Sequence, residues 1–343
     1  MGIQNLLGKI DYYTRPFKPL LLLQMAVNSY RRRNQSETQL DTLDISMSFD
    51  CNMTCEHCSA QVMSNPTRER LTLEDYSRLT DELDRLHVFR LNITGGEPLL
   101  ADHLEHLLQV LRPYKRHIKV QTNGLLLTEE RIVSLKRAGA NAISMSLDSV
   151  DEAEFDRFRG VPGGFKKIMA NIDLIRKHRL QVSLACVVTH ESLQNGGTER
   201  VIEFAQSHKC HLLLNLAIPV GRWANREEFL LDREGHDRKK VEALVSKYPH
   251  VHTDHDASGC PAATRKIYLT PYGDVIPCPF LHVSFGNVRE ESLLVIRERM
   301  LHHYRYSGSP FCPAAEDPWI LENWLKPSWD ASQLPLNYQN LPD

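Results

Sequence analysis

Residues 43–58 read Leu43-Asp44-Ile45-Ser46-Met47-Ser48-Phe49-Asp50-Cys51-Asn52-Met53-Thr54-Cys55-Glu56-His57-Cys58. Apolar and polar side chains alternate over the first half, which predicts a β-strand. The C-x3-C-x2-C loop after it brings three thiolates into one small volume, one fewer than a closed four-iron cluster or a structural zinc site needs. A [4Fe–4S] cluster held by three cysteines keeps one iron open for another ligand, so the loop indicates chemistry more than scaffolding.

Zinc and disulfides are weaker interpretations of the same cysteines. His57 could complete a zinc site, but it lies between Cys55 and Cys58, where the chain cannot easily turn it onto the same metal. The chain has eight cysteines in 343 residues and no signal-peptide pattern. We therefore expect a reducing, cytoplasmic compartment rather than a disulfide framework.

The composition is that of a globular protein. Hydrophobic residues make up 42% and charged residues 24% of the chain, which suits one large domain plus a smaller one. The formal net charge is −2, with both signs interspersed. This balance gives no electrostatic case for binding nucleic acid.

Short apolar strands alternate with helical stretches from about Leu43 to Gly221. Alternating strands and helices predict an α/β fold with a parallel sheet and outer helices, and six such units suggest a partial (β/α)6 barrel. The predicted strands are Leu43–Asp50, Phe89–Thr94, His117–Asn123, Ala142–Asp148, Gln181–Thr189 and His211–Ile218, with helices between them such as Leu73–Leu86 and Phe165–Lys177.

Several predicted strands are polar on one face. Asp44, Ser46 and Ser48 share one face of the first strand, and Ser144 and Ser146 share one face of the fourth. A filled barrel is apolar inside, so these faces predict a wet cavity for a polar ligand, unless the strand register is misassigned. The cysteine loop follows the first strand and should lie at the mouth of that cavity.

A hydrophobic patch, Leu20–Val27, precedes three arginines near the start of the chain. The patch is too short to span a bilayer. We expect an amphipathic helix that packs on the main domain. Contact of this helix with a membrane surface or a lipid is the alternative.

The turn Thr94-Gly95-Gly96-Glu97-Pro98 follows the second predicted strand. Its glycines permit close backbone approach, and a carboxylate then faces the same mouth as the cysteines. Together with the cysteine loop, this turn resembles the radical S-adenosylmethionine (SAM) superfamily, over roughly Leu43 to Gly221. The resemblance implies that the loop holds a [4Fe–4S] cluster and that SAM chelates its open iron.

The resemblance also implies roles for single residues, and no catalytic residue beyond the cluster. His57 stands where the family often has an aromatic residue against the adenine. Arg159 would pair with the SAM carboxylate, because a guanidinium binds a carboxylate bidentately, although a solvated arginine is the alternative. The implied cluster ligands are Cys51, Cys55 and Cys58, and the implied SAM-binding residues are Gly95, Gly96, Glu97, Thr122, Asn123, Ser146, Asp148 and Arg159.

The reaction implied by the resemblance is driven by the cofactor. An external electron donor such as flavodoxin or ferredoxin reduces the cluster, which splits SAM into methionine and a 5′-deoxyadenosyl radical. That radical abstracts a hydrogen atom from the substrate. The protein supplies aim, electrostatics and exclusion of solvent.

Three further cysteines, Cys260, Cys278 and Cys312, follow the barrel. A predicted hairpin at Ile267–Ile276 and a helix at Ser292–Leu301 accompany them. This pattern resembles the SPASM/twitch extensions of radical SAM enzymes, which bind an auxiliary Fe–S cluster, and the low cysteine count favours the twitch type. The fourth ligand is left open between Glu316, Asp317, His282 and an open iron, with a cluster-free or a zinc-binding domain as alternatives.

The domain organisation follows from these motifs. We expect an N-terminal helical extension at 1–40, the radical SAM barrel at 41–225, a helical linker at 226–255 and the twitch-like domain at 256–343. Cys186 and Cys210 are expected in the core, and Arg222 either meets an anionic substrate group or stays on the surface.

The resemblance implies a radical SAM enzyme, and the substrate is the open question. The roughly forty residues before the first strand are too few for the leader-binding domain that peptide maturases often carry. We therefore expect a small-molecule, sugar or lipid-like substrate, with a peptide-modifying maturase as the alternative. A non-catalytic Fe–S electron carrier is the alternative of another class, although a carrier needs neither the GGEP turn nor a polar cavity.

Overall fold

The computed structural model describes residues 18–34, 39–232, 235–255, 259–304 and 309–342. The six predicted strands are present, and each runs parallel to its neighbours in the expected order. The predicted α/β partial barrel is therefore confirmed. The strands are β1 (Thr42–Ser46), β2 (Arg90–Thr94), β3 (His117–Thr122), β4 (Ala142–Ser146), β5 (Gln181–Val188) and β6 (His211–Leu216).

Helices cover the outside of this sheet. The second helix begins at Thr72, whose hydroxyl and backbone exchange hydrogen bonds with Asp75 in a capping box. The helices are α1 (Pro19–Asn34), α2 (Leu73–Arg85), α3 (Leu104–Val110), α4 (Glu129–Ala138), α5 (Glu152–Arg159), α6 (Gly164–Lys177), α7 (His190–Gln194), α8 (Gly197–Ser207), α9 (His236–Lys247), α10 (Leu293–His303), α11 (Pro313–Glu316), α12 (Pro318–Ile320) and α13 (Lys326–Trp329), with a π-helical turn at Leu321–Leu325.

The sheet continues beyond the six barrel strands at both edges. At one edge β7 (Val251–His252) pairs parallel with β6. At the other, β8 (Lys266–Leu269) pairs parallel with β1 and antiparallel with β9 (Val275–Ile276). The C-terminal hairpin therefore extends the barrel sheet itself. A separate two-stranded ladder joins β10 (Val283–Ser284) to β11 (Leu336–Asn337).

The two faces of the strands have opposite chemistry, as their alternation predicts. Leu43 and Ile45 on β1 are fully buried in one continuous apolar core with the outer helices. On the inner face of the barrel, Asn92 Nδ2 donates to Asp44 Oδ1 at 2.6 Å. Each buried Leu or Ile stabilises the fold by about 1.5–3 kcal/mol, so the outer face stabilises the barrel and leaves the inner face free for polar groups.

The first helix packs under the barrel, at the amino ends of the strands. Leu21 is buried, Asn28 Nδ2 donates to the His87 carbonyl at 3.0 Å, and Lys18 Nζ donates to Asn141 Oδ1 at 2.6 Å. The predicted packing on the main domain is confirmed. Leu20 and Leu23 of the same helix are exposed, so lipid contact stays a prediction. Among the described residues, no helix is both long and apolar enough to cross a bilayer.

Candidate cofactor and active site

Cys51, Cys55 and Cys58 line one cavity at the carboxyl ends of the barrel strands, which we call the main cavity. Its volume is about 260 Å³. Glu97 and Asp148 lie behind its wall, where their side chains bind residues that line it. The other six implied SAM-binding residues all line the main cavity: Gly95, Gly96, Thr122, Asn123, Ser146 and Arg159.

The glycine turn after β2 packs backbone to backbone against the start of the cysteine loop. Gly96 N–H donates to the Ser48 carbonyl at 2.7 Å, and Glu97 N–H donates to the Asp50 carbonyl at 2.8 Å. A Cβ on Gly96 would lie 2.0 Å from Asp50 O, a distance that no side chain can adopt. Glycine is therefore required for the loop to sit at this height above the barrel.

Glu97 ties this turn to the end of β3. Its side chain is 1% exposed, and Oε1 accepts from Thr122 Oγ1 at 2.7 Å and from Leu99 N–H at 3.0 Å. Oε2 accepts from Asn123 N–H at 2.7 Å. Burial raises the pKa of Glu97 even though these donors lower it. Through its carboxylate, Glu97 holds the Thr122–Asn123 segment against the cavity.

Two polar side chains reach the cluster-loop sulfurs. Asn123 Nδ2 lies 3.8 Å from Cys51 Sγ, and Arg159 Nη1 lies 3.8 Å from Cys55 Sγ. Arg159 is buried and also pairs with Asp148, with Nε to Oδ2 at 2.7 Å. Asp148 Oδ1 accepts from Val187 N–H at 2.9 Å. The guanidinium is thus fixed in orientation and presents one edge to the sulfur.

Arg222 binds the cysteine loop from the opposite side, and the sequence did not indicate this role. Its Nη1 donates to the Cys55 carbonyl at 3.2 Å and its backbone N–H donates to the Cys58 carbonyl at 3.0 Å. Gly221 before it has φ +65°, and a Cβ there would lie 2.2 Å from Cys58 O. The arginine therefore positions the loop, and Gly221 permits the close approach of the chain after β6.

His57 belongs to an aromatic group beside the cavity. Its ring stacks on Phe158 with centroids 4.8 Å apart, and Trp223 lies tilted at 5.7 Å. Burial lowers the pKa of His57 to about 3, so the ring is neutral at physiological pH. Trp223, which the sequence analysis missed, forms part of the cavity wall together with His57.

The thiols of the loop fit a polynuclear cluster. Burial raises the pKa of Cys51 and of Cys55, and each is also raised by the neighbouring Cys58. A cationic iron–sulfur core would stabilise the thiolates that this environment otherwise disfavours. Three sulfurs around a shared cavity, with space left beside them, suit a cluster with one open iron. Among the described side chains, no three His, Cys, Asp or Glu groups are placed to bind a single metal ion.

Cys260, Cys278 and Cys312 line a second, smaller cavity, which we call the side cavity. Electrostatic contact with Cys260 and Cys278 adds to burial in raising the pKa of Cys312 well above its ordinary value. The three thiols therefore lie near one another around one cavity, as a shared cluster requires. The side cavity adjoins the main cavity, because both are lined by Asn215, Leu216, Ile218, Asp254, Lys266, Pro279 and Phe280.

Lys266 stands between the two cavities. Its Nζ lies 2.7 Å from Asp254 Oδ2 and 2.9 Å from Asp44 Oδ2. Burial alone would lower the pKa of Lys266, but the two carboxylates outweigh it and raise that pKa. The ammonium is therefore charged, and it lies in the wall that the two cavities share.

The three residues suggested as fourth ligands of the second set have other partners. Glu316 Oε2 accepts from Cys312 N–H at 2.7 Å, and Asp317 Oδ1 accepts from Trp319 N–H at 2.7 Å as a helix cap. His282 Nε2 lies 3.3 Å from the Pro279 carbonyl and outside the residues that line the side cavity. A different histidine, His255, does line it.

Two family models match the chain in these regions. The model of the radical SAM superfamily matches residues 45–198, which contain the end of β1, the cysteine loop and strands β2 to β5. The SPASM model, described as an iron–sulfur cluster-binding domain, matches residues 260–313. That match begins at Cys260 and takes in Cys278 and Cys312.

Relatives with assigned activities cover most of the chain. The AdoMet-dependent heme synthase of Methanosarcina barkeri is 24% identical over 72% of this chain and 79% of its own length. The PqqA peptide cyclase of Rhizobium meliloti is 26% identical over 77% of this chain and 75% of its own length. Streptococcus suis SuiB, solved with its precursor peptide SuiA, has the same fold, with a TM-score of 0.62, 18% identity, and coverage of 80% of this chain and 69% of SuiB. The chain therefore contains a radical SAM domain at residues 45–198 and an iron–sulfur cluster-binding domain of the SPASM type at residues 260–313, and it is an enzyme that uses SAM and Fe–S clusters.

Proposed function

We propose that this enzyme modifies a peptide, by hydrogen abstraction from a residue that is presented at the main cavity. The observation that carries the proposal is the wall that the two cavities share. One set of three cysteines lines each cavity, and Lys266 lines both cavities. A substrate group held there would lie between the SAM site and the auxiliary site.

The size of the main cavity supports a substrate that enters only in part. Sites for drug-sized ligands such as SAM usually measure about 300–1,000 Å³, against about 260 Å³ here. With SAM bound, little room is left for a whole second molecule. A side chain of a larger peptide can enter such a site while the rest of the peptide stays outside.

The relatives support the same choice. The peptide cyclase that matches 77% of this chain acts, by its name, on the peptide PqqA. This moves the peptide ahead of the small-molecule substrate that the sequence favoured. A small molecule remains the second candidate, because the heme synthase relatives match the chain about as well and because Lys266 and Asp254 could bind a small polar group.

The proposed roles of the chain's own residues follow from their contacts. Cys51, Cys55 and Cys58 would bind the [4Fe–4S] cluster, which when reduced by an external donor supplies the electron that cleaves SAM. Gly95, Gly96, Thr122, Asn123 and Ser146 would contact SAM directly. Glu97 and Asp148 act as positioning residues, because the first fixes Asn123 and the second orients Arg159.

The first experiment tests whether the protein cleaves SAM. The protein is reconstituted anaerobically, reduced with dithionite and given SAM, and 5′-deoxyadenosine is measured. We expect the product from the wild type and none from Cys51→Ala. A chain that holds an intact cluster and yet forms no 5′-deoxyadenosine would behave as an electron carrier and would contradict the proposal.

The second experiment tests the substrate class. The enzyme is given SAM and an extract of cells grown in deuterated medium, and deuterium in 5′-deoxyadenosine is measured by mass spectrometry. We expect deuterium transfer that disappears when the extract is first digested with peptidase. Transfer that survives digestion would instead favour the small-molecule candidate.

A further inference from the structure

We propose that His255 is the fourth protein ligand of the auxiliary cluster, completing a site of three thiolates and one imidazole. This inference rests on the auxiliary cluster of the proposed function. His255 lines the side cavity together with Cys260, Cys278 and Cys312. Imidazole can replace thiolate on the iron of an Fe–S cluster, as it does in Rieske centres, so three cysteines and one histidine can together hold a cluster.

The chain holds His255 in a defined place. It follows β7, which is paired with β6 at the edge of the barrel sheet. The hydroxyl of Thr253 donates to the His255 carbonyl at 2.7 Å and closes a tight turn. The position lies five residues before Cys260, so the two donors are close in the chain as well as in the cavity lining.

Two acidic side chains near the three sulfurs each face a cation. Asp254 lines the side cavity but pairs with Lys266 Nζ at 2.7 Å. Glu316 accepts from the backbone N–H of Cys312 and faces Arg238 Nη1 at 3.4 Å. An imidazole nitrogen is also a softer iron ligand than either carboxylate and suits iron beside thiolates.

The proposed ligand changes the charge of the auxiliary cluster. A neutral imidazole in place of a thiolate makes the site one unit less negative, which raises the reduction potential of an Fe–S cluster. The Lys266 ammonium at the inner end of the side cavity acts in the same direction. The auxiliary cluster would therefore accept an electron from the substrate more readily than one with four thiolates.

The test isolates the auxiliary cluster within the full chain. Cys51, Cys55 and Cys58 are replaced together by Ala, so the remaining iron reports on the second set alone, and SAM is left out. After reconstitution and dithionite reduction, iron content is measured and pulsed EPR is used to detect nitrogen hyperfine coupling. We expect about four iron atoms per chain and a strong histidine nitrogen coupling.

Variants in this background assign the nitrogen. In His255→Ala the coupling should disappear, while in the matched control His282→Ala and in Glu316→Gln it should persist. His255→Cys guards against misfolding: it should retain the iron, lose the coupling and show a more negative midpoint potential. Circular dichroism confirms that each variant is folded.

Three outcomes would overturn the proposal. Coupling that persists in His255→Ala, or that is absent from the parent although the iron is bound, excludes His255 as the ligand and leaves SAM cleavage by the intact enzyme untouched. A parent without iron shows that there is no auxiliary cluster, which rejects this inference together with that part of the proposed function.

Discussion

Glu97 makes three hydrogen bonds from a fully buried carboxylate, so a small chemical change there has a clear expected effect. In Glu97→Gln one carboxylate oxygen becomes an amide nitrogen, which cannot accept a hydrogen bond. The side chain then no longer accepts from both Thr122 Oγ1 and Asn123 N–H. We expect a loss of about 1–3 kcal/mol in the free energy of unfolding and weaker SAM binding with iron retained. Urea denaturation and equilibrium dialysis of SAM measure the two effects. Glu130→Gln, an exposed carboxylate, should change neither.

Arg222 and Arg226 lie four residues apart and allow a matched pair of substitutions. Arg222→Met removes the hydrogen bonds to the Cys55 carbonyl and to Gln61 Oε1, at about 0.5–1.5 kcal/mol each. Arg226→Met removes an exposed contact with Glu228. We expect the first variant to lose iron to a chelator faster than the wild type, and the second to match it. Equal rates in all three proteins would show that Arg222 does not hold the loop.

At the residue level, the motifs predicted many of the side chains that surround the main cavity. They did not predict the contacts that these side chains make within the protein. Arg159 lies there as expected, and its guanidinium is also held by Asp148. Arg222 was undecided because its partner is a backbone carbonyl, which leaves no mark in a motif. His255 was missed since nothing in the sequence shows that the turn after β7 reaches the second set of cysteines.

The turn that follows β2 requires glycine at Gly96. In Gly96→Ala the new methyl group would meet the Asp50 carbonyl at 2.0 Å, so the cysteine loop has to move. We expect destabilisation of at least about 3 kcal/mol and loss of bound iron, measured by denaturation and iron assay. Gly163→Ala is the control: it meets no atom within 4 Å, although its φ of +77° adds some strain. A Gly96→Ala protein with full iron would contradict this packing argument.

The amino end of α2 is joined to the C-terminal region through Asp75. Burial alone would raise the pKa of Asp75, but hydrogen bonds from Thr72, Arg78 and Arg289 outweigh it and lower that pKa to about 2. Because the pKa of Asp75 is lower in the folded state, its ionised carboxylate stabilises the protein above the unfolded pKa of about 4. This stabilisation is lost as the pH falls towards 2. We expect the wild type to lose up to about 2 kcal/mol over that range relative to Asp75→Asn.

Urea denaturation of both proteins between pH 5 and about pH 2 checks this difference. Asp81→Asn, an exposed carboxylate on the same helix, should follow the wild type. Parallel curves for the wild type and Asp75→Asn would show that the carboxylate has no part in acid sensitivity.

At the level of elements, alternating patterns predicted the six barrel strands and their order because each strand has one buried apolar face. The pairing of β8 with β1 was not predicted. A four-residue apolar strand fits any open sheet edge, so its partner depends on the path of the whole chain. The two-residue strands β7 and β11 are too short to have a period at all.

Across the whole molecule, Lys266 joins parts that lie at opposite edges of the sheet. It projects from β8, pairs with Asp44 on β1, and reaches Asp254 after β7. The ion pair thus closes the gap between the two edges of the partial barrel. Lys266→Met removes the cation that Asp44 and Asp254 share. We expect the free energy of unfolding to fall by about 3 kcal/mol. This is the low end of the range for buried ion pairs, because Asp254 is 42% exposed.

The double variant Lys266→Met/Asp44→Asn should recover part of that stability, because one uncompensated charge is removed. In the deuterium assay, both variants should still cleave SAM but transfer less deuterium from the substrate. If deuterium transfer is unchanged in folded Lys266→Met, the lysine has a structural role alone.

The pairing of β1 with β8 has a consequence for synthesis. The strand that carries the first cysteine loop gains its second neighbour about 220 residues later. While the ribosome is making the intervening barrel, β1 is an unprotected sheet edge, the kind of surface that recruits other chains. We expect nascent chains halted before β8 to need chaperones or to aggregate, and we expect iron insertion to follow the emergence of β8.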